Sequence, residues 1–194
     1  MTWVGVDYGS KLAGTTVMAF AKNGSVYFRQ TSKKADADKT LRKWIIEEKP
    51  VRVFMDAPLS LPAVYRNNQN AEDYFYRQAD RDLKAMSPMF LGGLTARAMR
   101  LVAGLQSDLP VVFQETYPGY LAKLLELPKE QYKKEKKYLP VLSETLCRQY
   151  TLELSQTPEN WHQFDALLAY ISGLRFQSGI HQTFGDPEEG QIVI

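Results

Sequence analysis

Three short apolar runs, Trp3–Val6, Val51–Met55 and Val111–Gln114, each stop on a carboxylate: Asp7, Asp56 and Glu115. Apolar runs of this length bounded by turn residues read as buried strands. In an open α/β sheet, ligands bind beyond the carboxyl ends of the strands, where the connecting loops diverge and leave a crevice. If the three strands are neighbours, three acids meet in that crevice. Carboxylates brought together repel one another, and a bound cation relieves the repulsion. The hard ions Mg²⁺ and Mn²⁺ prefer such oxygen donors. A fourth acid, Asp165, stands near the start of the last helix-like segment and completes the candidate ligand set.

The segments between these runs predict the rest of the sheet. Gly14–Ala21 and Ser25–Thr31 flank Asn23-Gly24, the signature of a hairpin following the first strand. Ala37–Lys49 changes to helical spacing, with Leu41, Trp44 and Ile45 on one face, Asp36 as N-cap and Pro50 as stop. Three strands, a helix and a fourth strand suit a mixed sheet whose first three strands are antiparallel and whose later crossovers are parallel, flanked by helices.

Between Leu59 and Pro110 no strand is predicted, only helices over about Ala71–Ala85 and Leu94–Leu105. We read residues 59–110 as a helical insertion before the last core strand, within a single domain spanning residues 1–194. Later helices are expected near Tyr120–Leu125, Leu139–Leu154 and His162–Gln177, and Gln191–Ile194 as an edge strand.

Composition limits the partners. The 24 basic and 22 acidic residues leave a net charge of +2, so the chain has no global field for gripping a polyanion and any nucleic-acid contact must be local. No stretch reaches the roughly 20 apolar residues that span a bilayer. The first residues lack the pattern of a signal peptide, and the lone Cys147 has no internal disulfide partner. A cytoplasmic protein without a membrane partner is expected.

Blocks distributed along the chain resemble a known family. They are Val4-Gly5-Val6-Asp7-Tyr8-Gly9-Ser10 with Gly14-Thr15, Met55-Asp56-Ala57-Pro58-Leu59-Ser60-Leu61-Pro62, Arg77-Gln78-Ala79-Asp80-Arg81, Glu115-Thr116-Tyr117-Pro118, His162 to Ala169, and Gly185-Asp186-Pro187-Glu188-Glu189-Gly190. In this order they resemble the ribonuclease H-like nucleases catalogued as domain of unknown function 429. The resemblance implies a ribonuclease H-like fold, with Asp7 as the metal-bridging acid of the first strand and Asp165 as the acid of the last helix. Asp56 and Glu115 would complete the shell.

The activity implied is metal-dependent hydrolysis of a nucleic-acid phosphodiester by a two-metal mechanism. His162, one helical turn before Asp165, is a candidate for proton transfer or for orienting an acid. Ser10 and Lys11, in the turn after the first strand, join Arg77 and Arg81 as candidate substrate contacts. The lysine-rich stretch Lys129–Lys137 offers a contact for a nucleic-acid backbone, though such a run is more often a solvated segment, and Tyr65, Tyr74, Phe75 and Tyr76 offer stacking surfaces for bases, though aromatic residues at these spacings are more often packing residues.

Two other readings share the fold. One is a relative of the actin and sugar-kinase ATPases that binds nucleotide phosphate at the Asp-x-Gly turn. Those proteins pair two such domains, and this chain carries no second Asp-x-Gly-x-x-x-x-Gly-Thr block. The other is a non-catalytic module that uses the cleft to bind nucleic acid or protein.

Overall fold

The computed structural model describes residues 2–66 and 71–194. The chain opens with strand β1 (Trp3–Asp7), the hairpin β2 (Val17–Lys22) and β3 (Ser25–Gln30), helix α1 (Ala37–Glu48) and β4 (Arg52–Asp56). Helices α2 (Gln78–Leu83), α3 (Pro88–Leu91) and α4 (Gly93–Asp108) precede β5 (Val112–Glu115). Then come α5 (Pro118–Leu124), α6 (Leu139–Tyr150), β6 (Glu153–Leu154), α7 (Trp161–Gln177), β7 (Thr183–Phe184) and β8 (Ile192–Val193). The strands form one sheet in the order β6-β3-β2-β1-β4-β5-β8-β7. β1, β2 and β3 pair antiparallel, while β1–β4 and β4–β5 pair parallel. This is the mixed sheet expected from the sequence, antiparallel over its first three strands and parallel at the later crossovers.

Local chemistry sets the first elements. Asn23 and Gly24 both take positive φ, 52° and 86°, as the twist of a two-residue hairpin demands. The Asp36 side chain accepts from the backbone N–H groups of Asp38 and Lys39, satisfying donors that the first turn of α1 leaves free. β2 starts at Val17, not Gly14, because Gly14 adopts φ 73° in the preceding turn.

Side chains alternate across a strand, and here each face finds its own helices. Val4 and Val6 of β1 and Val53 and Met55 of β4 pack with Leu41 and Ile45 of α1 and with Leu101 and Leu105 of α4. The opposite face is covered by α7, which is buried without interruption from Gln163 to Gly173. A Cβ on Gly5 would lie 2.1 Å from Tyr170 N and 2.5 Å from Ala166 O. Only glycine lets α7 rest directly on the backbone of β1.

Two expectations change. The helix foreseen over Ala71–Ala85 is confined to Gln78–Leu83. Asp73 Oδ1 instead accepts from Phe75 N and Tyr76 N at 2.8 Å, closing a side-chain turn that competes with the helix. Arg77 is extended at φ −77°, ψ 163°. The tail strand is not an edge: β8 lies between β5 and β7, held by the reciprocal backbone bonds of Gln182 and Ile194 at 2.8 and 2.9 Å. Among the described residues no helix is long and apolar enough to cross a membrane.

Candidate metal centre

Asp7 and Asp56 are register partners at the ends of two adjacent parallel strands. They follow Gly5 and Phe54 by two residues, so alternation sends both carboxylates to the face that α7 covers. Asp165, in the second turn of α7, reaches the same place from above. One carboxylate oxygen from each of the three lies within 4.8 Å of the others. Asp7 and Asp165 are buried and Asp56 is half-buried. The cleft over them has a volume of about 380 Å³, and its walls include Pro58, Met86, Leu94 and Lys133.

The electrostatics follow from this crowding. Burial, then the negative charges of Asp7 and Asp165, hold the Asp56 carboxyl well above the ordinary carboxylate range. Asp165 is raised too, first by burial; Lys133 opposes that rise and Asp7 adds to it. His162 Nδ1 sits 2.8 Å from Asp7 Oδ2, and this bond raises the imidazole above its usual value. The Tyr132 hydroxyl donates to Asp165 Oδ1 at 2.6 Å, and Lys133 Nζ lies 2.7 Å from Asp165 Oδ2. Three mutually repelling oxygen donors in one buried corner form a donor set that suits a hard divalent cation.

Glu115 takes a different place from the one expected. In the β4–β5 register it lies opposite Met55, one position short of Asp56, and a displacement of one residue turns a side chain to the other face of a sheet. Phe113, two residues earlier, packs in the α1–α4 layer. The residue level with Asp7 and Asp56 is Thr116, whose hydroxyl donates to Ser172 Oγ of α7 at 2.8 Å.

Arg77, expected as a phosphate contact, is instead wholly buried against Glu115. Its Nη1 and Nη2 donate to the two Glu115 oxygens, both at 2.7 Å. Its remaining N–H groups go to Ser60 Oγ at 2.8 Å and to Asp80 Oδ2 and Oδ1 at 3.0 and 2.6 Å. All the guanidinium donors are thereby used. Glu115 also accepts from Leu59 N at 2.9 Å. Burial pushes the Glu115 carboxyl up, although Arg77 works against it.

The other substrate-contact candidates lie at the surface. Ser10 is exposed. Lys11 pairs with Asp36 at 3.3 Å, and Arg81 pairs with Asp73 at 2.5 Å. Behind the Asp7-Tyr8-Gly9 turn, Tyr8 donates to Asp38 Oδ1 at 2.5 Å. Arg97 grips Asp38 through Nε and Nη2 at 3.1 and 2.6 Å and donates through Nη1 to the Gly9 carbonyl at 3.2 Å. Sequence reasoning missed Tyr132, Lys133 and this Arg97 network. The charge run around Lys133 contains other lysines of identical appearance, so no local signal separates it from them.

No family model matches the sequence, and no curated protein matches it. Solved structures similar to it include Thermus thermophilus RuvC, at 14% identity and a TM-score of 0.46 over 93% of this chain and 98% of that one. T. thermophilus RuvC in complex with a Holliday junction substrate gives 14% identity and a TM-score of 0.49 over 93% and 97%.

Proposed function

We propose that this protein is a divalent-metal-dependent nuclease of the ribonuclease H-like class, akin to the family its sequence resembles, which hydrolyses a phosphodiester bond of nucleic acid. One observation carries the reading: three carboxylates from β1, β4 and α7 place oxygens within 4.8 Å of one another at the carboxyl edge of the sheet. Asp7, Asp56 and Asp165 would hold Mg²⁺ or Mn²⁺. When bound, such an ion polarises a phosphoryl oxygen and lowers the pKa of a coordinated water.

The chain's own residues supply the remaining parts. His162 fixes one oxygen of Asp7 through Nδ1 and is about half exposed. Nε2 is then the atom that takes a proton from water or returns one to a departing oxygen. Tyr132 holds Asp165 in its rotamer. Ser10 and Lys11 flank the turn after Asp7 and would meet the substrate backbone. Arg81 would do so only by giving up Asp73, and the buried Arg77 acts by holding the cleft wall in place.

The test is cleavage of single-stranded and duplex DNA and RNA and of a four-way junction, with Mn²⁺ or Mg²⁺ and with chelator. Metal-dependent cleavage lost in Asp7→Asn is expected. Cleavage that survives both Asp7→Asn and chelator refutes the assignment. Nucleotide-induced thermal stabilisation without cleavage supports the ATPase-like reading instead, and binding to one of these substrates without hydrolysis supports the non-catalytic one.

A further inference from the structure

The segment around Lys133 carries a cation into the acid cluster, and the function proposed above gives that cation no role. Lys133 Nζ lies 2.7 Å from Asp165 Oδ2, and Lys133 lines the same cleft as Asp7 and Asp56. Its backbone is left-handed at φ 58°, a conformation that side chains other than glycine adopt only when their surroundings impose it. Those surroundings are visible on both sides. Tyr132 donates to Asp165 Oδ1 at 2.6 Å, and its ring packs on Trp161 and Phe164 at centroid distances of 5.7 and 6.0 Å. The carbonyl of Lys134 accepts from Trp161 Nε1 at 3.1 Å. The lysine is thus held between two anchors on the first turns of α7.

This arrangement leaves the three acids unequal. Both oxygens of Asp165 are engaged from one segment, by a hydroxyl and an ammonium. Among the described residues Asp7 carries only the imidazole of His162 on Oδ2. Among the described residues Asp56 has no ion-pair partner. A divalent ion seated against Asp165 would stand beside a fixed ammonium, and like charges at close range repel. With His162 neutral, three carboxylates less one ammonium leave two negative charges, which a single divalent ion neutralises.

We infer that Lys133 fills the place of a second cation, so that the site takes one divalent ion between Asp7 and Asp56 while the ammonium neutralises Asp165. The inference rests on the metal-dependent reading above and narrows the two-ion arrangement expected from the sequence to one ion and one lysine. Lys133 is a positioning residue in this scheme. It fixes the charge and rotamer of Asp165 and turns its remaining N–H bonds to the cleft.

The experiment counts ions. Mn²⁺ is titrated into the full chain as wild type, Lys133→Arg and Lys133→Met, with bound ions read by electron paramagnetic resonance and folding checked by thermal melting in chelator. The expected counts are one, one and two. Lys133→Gln repeats the measurement without the charge should methionine disturb the segment. A wild-type count of two, or a count in the uncharged variants no higher than the wild type's, overturns the inference and leaves the metal site standing. No uptake by any of the proteins removes the metal site itself, and the inference with it.

Discussion

Two groups of buried acids stand side by side at the carboxyl edge of the sheet, and they are neutralised in opposite ways. Glu115 and Asp80 share the guanidinium of Arg77, whose N–H donors all find oxygens inside the protein. That group is closed. Asp7, Asp56 and Asp165 have Lys133 and His162 between them, and Asp56 is pushed up by burial and by the charges of the other two. That group is left open. The fold builds a complete internal ion pair on one side of a cleft and leaves three acids under-compensated on the other, the donor set on which the proposed metal site rests.

The contrast breaks first at Arg77. Removing one partner of a buried ion pair strands the other, at a cost of about 3–5 kcal/mol. Arg77→Met is therefore expected to lose about that much in urea unfolding; a loss below about 1 kcal/mol would mean that Glu115 and Asp80 are not held as a buried charged group. The open group should respond to metal instead. At a hundredfold excess over Kd, Mn²⁺ is expected to stabilise wild type by about 2.7 kcal/mol and Asp56→Asn by far less, read as a thermal shift. Equal shifts in both proteins would place the ion elsewhere.

A pH series sharpens the comparison. A carboxyl whose folded pKa is raised holds its proton more tightly in the native state. Its stability contribution is complete below the unfolded value and is lost as pH rises through the folded one. In chelator, wild type is expected to weaken as pH climbs above the ordinary carboxylate range. Asp56→Asn should flatten that slope and be the more stable protein near neutral pH. Identical slopes would deny the strain in the open group. The smallest effect belongs to the exposed Arg81–Asp73 pair, where Arg81→Ala should change stability by less than about 1 kcal/mol. A larger loss in urea unfolding would put Arg81 in the closed group.

What the sequence revealed divides along the same line. The hairpin at Asn23-Gly24, the Asp36 cap, and the pairing of Asp7 with Asp56 follow from local chemistry and strand-end position, and they are legible. Glu115 shows the limit of that reading. It ends an apolar run just as Asp56 does, yet the register places it opposite Met55, and register depends on how whole strands seat against helices. Arg77 was misread because its partner Glu115 lies 38 residues away, and Lys133 because Asp165 approaches it only through the tertiary fold. The shortened α2 had a local cause, the Asp73 turn, but acidic residues at a helix start serve helix and turn alike.

Gly5, with α7 lying on its backbone, has a consequence in time. Asp7 is bonded by His162 of α7, which is made 155 residues later, and the bare strand holds a place for a helix not yet synthesised. Chains grow at about 5–20 residues per second, so β1 is made about 8–30 seconds before the start of α7. During that interval the acid of α7 is absent, and no truncated product that stops short of α7 can carry the complete cluster. The acid cluster is complete only when the long helix α7 closes over the first strand.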